Sequence, residues 1–264
     1  MATWPPGTSR EIHDELDSTN AEALRRARAG AACPLWVLAL RQTAARGRRG
    51  RDWMMAPGNF AASLMMRPMA PPAGAALRSF VAALALDDAL VAATGRPDLL
   101  ALKWPNDVLL SGGKLAGILL ETGGAPVGPM ALVVGFGVNL AAAPDAAALE
   151  PGALAPVSLL EATGVRVSPQ DFLDLLAPAF DRWERRLLTQ GFGPVRDAWL
   201  GRAARLGEPV TARLPGRVIE GRFETIDVTG ALVLATDAGR VTLPAADVHF
   251  TEISAPAPAH AARD

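Results

Sequence analysis

The chain has 264 residues, 50% of them hydrophobic, with 26 Lys+Arg against 27 Asp+Glu and a net charge of −1. That length suits one large domain or a large domain with a small one, and the balanced charge excludes a protein that grips nucleic acid through a broad basic surface. Cys33 is the single cysteine and the three histidines (His13, His249, His260) are scattered, which excludes a disulfide framework and a Cys- or His-based metal cluster.

The first residues, MATWPPGTSREIH, lack the basic and apolar regions of a signal peptide. The longest apolar helix candidate is interrupted by Asp87-Asp88, so nothing spans a membrane and the expected location is the cytoplasm.

In chain order, Arg10 to Leu16 predicts a short strand. Asp17-Ser18-Thr19-Asn20 supplies N-cap chemistry for a helix running to Ala29 and stopped by Gly30. Leu35–Leu40 and Phe60–Met66 are apolar runs of strand length, and Ala75–Thr94 predicts a buried Ala-rich helix. Leu99–Trp104 predicts a strand broken by Pro105-Asn106-Asp107. Val108–Leu110, the turn Ser111-Gly112-Gly113 and Lys114–Glu121 form a hairpin, with Gly117 inside its second strand, often a mark of a ligand against the backbone. Met130–Leu140 is a further buried strand, and Ala141–Leu154 a surface loop. Three helices follow, over Val157–Thr163, Pro169–Thr189 and Pro194–Ala204. Beyond Gly207 the pattern turns to short alternating runs, PVTARL, VIEGRFETID, ALVLAT and RVTLP, with turns at Thr229-Gly230 and Asp237-Ala238-Gly239. The division expected is 1–205, a small β-barrel over 206–254 that leans on the larger domain, and a disordered tail over 255–264.

Between the two strands 35–40 and 60–66 lies RQTAARGRRGRDW, Arg41 to Trp53, expected as a flexible loop at a sheet edge. Arg46, Arg48, Arg49 and Arg51 alternate with Gly47 and Gly50. Glycine lets a backbone approach a ligand, and guanidinium offers a permanently charged fork that matches phosphate. A solvated basic loop is the plain alternative, but a tight cationic cluster on a neutral chain points to a local polyphosphate site. Two familiar phosphate motifs are absent. Gly113-Lys114 is followed by leucine instead of Ser or Thr, and Gly135-Phe136-Gly137 lacks a third glycine and a following helix. Residue usage adds one hint: only Lys103 and Lys114 are lysines, and both fall within a segment rich in candidate polar groups.

The set STN (18–20), QTAARGRRGRDW (42–53), KWPND (103–107), GGKLAGILLE (112–121) and GFGVNL (135–140) resembles, in order and spacing, the biotin–protein ligases. The resemblance is detailed from residue 10 to about 140. It implies a mixed α/β (α+β) catalytic domain of the class II aminoacyl-tRNA synthetase and biotin–lipoate ligase type, followed by an SH3-like barrel. It implies ATP, Mg²⁺ and biotin as ligands, with no tightly bound prosthetic group, and the biotin carboxyl carrier protein of acetyl-CoA carboxylase as acceptor.

By the same resemblance, Ser18, Thr19, Asn20 and Gln42 would hold the biotin ring system. Arg46, Gly47 and Arg48 would close over biotin and the α-phosphate, and Gly117 would line the biotin pocket. Arg49, Arg51 and Trp53 would hold the nucleotide with Arg46, Lys103, Asn106 and Asn139. Lys114 and Arg48 are the catalytic candidates, Lys114 bridging the biotin carboxylate and the α-phosphate. Asn106, Asp107 and Asn139 are the places where Mg²⁺ would come near protein, Asp107 being equally readable as a buried turn carboxylate.

Ala45 stands where the family's loop usually has glycine, and an arginine that some relatives place near the end of the barrel is replaced by Asp247-Val248-His249-Phe250-Thr251. The first predicted strand begins so early that a DNA-binding helix-turn-helix is not expected before it. No DNA, no membrane, and a monomer or homodimer complete the expectation. A lipoate or octanoate ligase on the same fold, and an RNA- or nucleotide-binding module, are the competing readings. The arginine loop and KWPND argue against the first, and the charge balance against the second.

Overall fold

The computed structural model describes residues 3–68, 72–124, 130–145, 154–244 and 246–250. The tail expected to be disordered, and most of the loop 141–154, lie outside them.

Seven strands form the larger sheet: β1 (Ser9–Leu16), β2 (Leu35–Gln42), β3 (Phe60–Met66), β4 (Leu100–Lys103), β5 (Asp107–Leu110), β6 (Gly113–Gly123) and β7 (Ala131–Val138). Their spatial order is β1-β2-β3-β7-β6-β5-β4; only β1 and β2 pair in parallel, and α1 (Thr19–Arg28) connects them. The apolar runs at 35–40 and 60–66 are buried on both faces because helices cover both. Period two sorts each run. Trp36 and Leu38 enter the main core, while Leu35, Val37 and Met65 meet Ala23 and Ala27 of α1 in a second cluster.

The main core lies under α3 (Arg78–Thr94), α5 (Pro169–Gln190) and α6 (Phe192–Leu200). A short α2 (Pro72–Ala76) precedes α3, so the helix expected from Ala75 is interrupted. At the junction Arg78 turns inward, pairing with Glu184 of α5 at 2.7 Å and donating to the Gly74 carbonyl. Ser158 caps α4 (Leu159–Thr163), which begins two residues later than expected. The helix expected over Pro194–Ala204 starts earlier and stops at Leu200. Beyond it the backbone of Arg202–Ala204 pairs with Leu102 (both N···O 2.8 Å), covering the β4 edge.

The second sheet holds β8 (Pro209–Leu214), β9 (Arg217–Ile226), β10 (Leu232–Thr236), β11 (Gly239–Leu243) and β12 (Asp247–Phe250), all antiparallel in the order β11-β10-β9-β8-β12. The last strand was not among the expected ones. This sheet leans on the larger unit through one shared core. Trp199 packs between Phe80 and Phe223, and Trp104 donates its indole N–H to the Gly230 carbonyl at 3.1 Å. The arginine loop leaves the ends of β2 and β3, two interior strands, and so does not sit at a sheet edge as expected.

Candidate active site

A cleft of about 850 Å³ opens where α1, the arginine loop, the β4–β5 corner and the small sheet meet. Every residue nominated from the sequence lines it.

One wall is the N-terminus of α1. Ser18 caps the helix with its hydroxyl, and Ser18, Thr19 and Asn20 are all buried. Gln42, at the end of β2, accepts the Thr19 backbone N–H at 2.7 Å, fixing its amide beside the cap. Ser63 of β3 places its Oγ 2.8 Å from Thr19 Oγ1 and 2.5 Å from Asn20 Oδ1. Asn20 Nδ2 donates to Glu121 Oε2 at 2.7 Å, so the Asn20 amide is engaged at both ends.

The floor is bare backbone. Gly117 of β6 and Gly137 of β7 are register partners, and the Trp53 indole lies on them. A Cβ on Gly137 would stand 2.6 Å from Trp53 Cε2, and one on Gly135 would stand 2.2 Å from Asn20 Oδ1. Glycine is therefore required there for close approach, independent of backbone angles.

The loop above the floor is ordered. Gly47 N–H bonds Arg51 O at 2.7 Å, Trp53 N–H bonds Ala45 O at 3.0 Å, and Arg49 and Gly50 both adopt left-handed conformations at the tip. Ala45 is buried within this turn. Arg48 Nη1 donates to Asn106 Oδ1 at 3.1 Å, and Asn106 Nδ2 donates to Ile118 O at 2.7 Å. One asparagine thus ties the loop to β6.

At the far corner Lys114 Nζ stands 2.8 Å from Asp107 Oδ1, and Lys103 Nζ 3.6 Å from Asp107 Oδ2. Burial acts to raise the Asp107 pKa, but Lys114, Lys103 and Arg48 together hold it below the usual carboxylate value. The Lys114 backbone is clamped by Ala155 O and Val157 N–H (2.8 and 3.0 Å), leaving only its side chain to move. Asn139 lines the cleft but is almost fully buried, its amide reaching Val157 O at 3.3 Å. Among the described residues no group of three or more His, Cys, Asp or Glu could cage a metal.

Sequence reasoning missed Ser63 and Glu121, although Ser63 is the one polar group inside the apolar run 60–66 and Glu121 closes the apolar run of β6. It also missed Arg213 and Phe250 of the small sheet, which line the cleft, Phe250 lying 5.6 Å from Lys103 Nζ. No local signal marks those two.

Residues 15–139 match the model of the biotin/lipoate A/B protein ligase family, and residues 206–250 that of the biotin protein ligase C terminal domain. A biotin–[acetyl-CoA-carboxylase] ligase of Paracoccus denitrificans is 59% identical over 234 residues, 89% of this chain and 97% of the relative. The chain belongs to the biotin protein ligase family. A second relative in it, the bifunctional ligase/repressor of Bacillus subtilis, is 31% identical over 90% of this chain and 73% of its own. The biotin protein ligase of Aquifex aeolicus, solved with biotin and ATP, superposes with a TM-score of 0.76 over 92% of this chain and 99% of its own; at 22% identity it speaks for the fold. Membership agrees with the mixed sheet followed by a small antiparallel β unit. No helix among the described residues is long and apolar enough to cross a membrane.

Proposed function

We propose that this protein is an ATP-dependent ligase that activates biotin as biotinyl-5′-AMP and transfers it to one lysine of the biotin carboxyl carrier protein of acetyl-CoA carboxylase. The observation that carries this is the 59% identity to the Paracoccus ligase along nearly the whole of both chains. The cleft supports it, being of a size for a small acid beside a nucleotide and lined by cations on one side.

In the first half-reaction a biotin carboxylate oxygen attacks the α-phosphorus and the bond to the bridging oxygen breaks, releasing pyrophosphate. Two anions must meet, so the work is positioning and charge neutralisation. Lys114 exchanges its contact with Asp107 for the carboxylate and α-phosphate, and Arg48 closes over them. Thr19, Ser18 and Gln42 hold the biotin ring, with Asn20 acting from behind and the Gly117 backbone beneath. Arg46 and Gly47 close the mouth. Arg49, Arg51, Trp53, Lys103 and Asn106 face the nucleotide, with Asn139 acting from behind through its buried amide. Mg²⁺ bound to ATP would neutralise charge on the phosphates; Asn106, Asp107 and Asn139 are the protein groups that would come near it, with Asp107 already facing two lysines. In the second half-reaction the neutral amine of the carrier lysine attacks the acyl carbon, AMP leaves, and the amine's proton passes to solvent.

The catalytic unit is residues 1–205, with 206–254 completing the nucleotide side. The reaction belongs to the cytoplasm, and the net charge of −1 supports a protein that does not bind DNA. The test is biotin-dependent ATP–pyrophosphate exchange beside lipoate and octanoate, with mass spectrometry of a carrier domain. Exchange driven by biotin and one labelled lysine are expected; exchange driven by lipoate and not by biotin overturns the reading.

A further inference from the structure

We propose that Glu121 is a positioning residue, the anchor that holds Arg46 and with it the arginine loop over the mouth of the cleft. Glu121 ends the apolar stretch of β6 and pairs in register with Val133 of β7, on the rigid sheet and outside the loop. Its two carboxylate oxygens do different things. Oε2 accepts from Asn20 Nδ2 at 2.7 Å, and Oε1 faces Arg46 Nη2 at 3.9 Å.

The Asn20 amide cannot turn over without loss. Its Oδ1 meets the Ser63 hydroxyl at 2.5 Å and packs against bare Gly135, so only Nδ2 is left to face the carboxylate. That bond fixes the carboxylate plane and aims the second oxygen out toward the loop. Ser63, Asn20, Glu121 and Arg46 therefore form one polar line from inside the sheet to the loop. Asn20, nominated from the sequence as a biotin contact, has both ends of its amide spent on this line.

Arg46 is a suitable handle. It forms an isolated β-bridge with Asp52, inside the turn closed by the Gly47–Arg51 and Trp53–Ala45 hydrogen bonds. A pull on Arg46 moves residues 45–53 as one piece. The Arg46 side chain is 49% exposed and that of Glu121 29%, so with no ligand present the pair is solvent-screened and biases opening by only about threefold. A ligand that fills the cleft and expels water strengthens the same pair. The anchor is thus weak when the cleft must admit substrates and firm once it is filled. That second consequence rests on the biotin-ligase reading; the tether itself does not.

The experiment compares Glu121→Gln, Arg46→Gln and the double variant. Glutamine keeps an acceptor for Asn20 and removes the charge facing Arg46. Without substrates, trypsin cleavage at Arg48, Arg49 and Arg51 should speed up about threefold in Glu121→Gln, and equally in Arg46→Gln, with melting unchanged. The release rate of preformed adenylate should rise in each single variant, with the double variant no faster than either. Rescue by Glu121→Asp, which restores the charge, should be partial. Unchanged cleavage, or additive effects in the double variant, overturns the anchor. If Glu121→Gln does not fold, Arg46→Gln decides alone, since unchanged cleavage there removes the tether from the other end. If the unmutated chain does not activate biotin, the reading of the site falls while cleavage still decides the anchor. If it does activate biotin and cleavage is unmoved, the anchor alone falls.

Discussion

Lys114 and Asp107 stand 2.8 Å apart, and the carboxylate's other oxygen faces Lys103 at 3.6 Å. The two lysines of the chain thus share one buried carboxylate. The Lys114 ammonium meets Asp107 Oδ1 on a flexible stem and helps hold that buried carboxylate below its usual pKa. The chain uses arginine at every other Lys/Arg position, and the proposed reaction gives Lys114 a reason to differ: a compact ammonium can sit between the biotin carboxylate and the α-phosphate.

Lys114→Arg conserves charge but brings a broad planar group whose bidentate geometry holds two anions apart. Loss of a positioned transition-state donor typically costs about 2.7–4 kcal/mol, roughly 10²–10³ in rate. That loss is expected in single-turnover adenylate formation at saturating biotin and ATP. Lys103→Arg should be milder, because its side chain contacts Asp107 at longer range. Near-native rates in Lys114→Arg would remove its assigned role.

Gly137→Ala tests the bare floor. Its methyl group would meet the rigid Trp53 ring at 2.6 Å, with Gly137 fixed between β3 and β6. The indole must lift, and the loop that begins at Ala45 must shift with it. We expect a red-shifted tryptophan emission, an intact fold, and a KM for ATP raised at least tenfold. Gly117→Ala, with 3.1 Å to the ring edge, should give a smaller change of the same kind. An unchanged KM in Gly137→Ala would show that Trp53 does not face the nucleotide.

What the sequence disclosed follows the range of the interactions. β2, β3 and β7 were readable because burial on both faces leaves continuous apolar runs, and the cap at Ser18 because its chemistry is local. The end of α6 was not, since residues 202–204 leave the helix to pair with β4, a contact made from distant sequence. β12 was missed for the same reason: its four residues are a strand only beside β8. In the cleft, residue types at fixed spacing named the lining. They did not reveal that the amides of Asn20 and Asn139 are spent inside the protein, nor that Phe250 approaches Lys103 across the domain boundary.

Asp87 gives the chain a pH dependence of stability remote from the cleft. Burial pushes its pKa up to about 6, with Arg202 at 3.2 Å opposing and Asp88 adding to the rise. A carboxyl raised in the folded state contributes stability that is whole below the unfolded value near 3.8 and is lost as pH rises through 6. The loss amounts to roughly 3 kcal/mol. Asp87→Asn cannot ionise, so the difference in unfolding free energy, variant minus parent, should grow by roughly 2 kcal/mol between pH 4 and pH 7. Urea titrations at four pH values measure it, and a flat difference would refute the assignment.

Arg48 Nη1 ties the loop to the sheet through Asn106 Oδ1 at 3.1 Å, and Asn106 is itself held at Ile118 O. The turn 45–53 keeps its own Gly47–Arg51 and Trp53–Ala45 hydrogen bonds, so losing the Asn106 contact lets it swing off β6 as a piece. Arg48→Gly removes a charge-assisted contact of about 1.5–3 kcal/mol and raises the entropy of the open loop at the same time. Adenylation should persist, because Lys114 stands on the clamped strand β6 and not on the loop. Retention of the adenylate should fail. With biotin and ATP supplied, the variant should release free biotinyl-5′-AMP at least tenfold faster and label bystander lysines as well as the carrier lysine. Asn106→Ala, which removes the same bond from the other partner, should show the same leakage with the arginine still present. If both variants retain the adenylate and label only the carrier, the Arg48–Asn106 bond does not hold the loop closed.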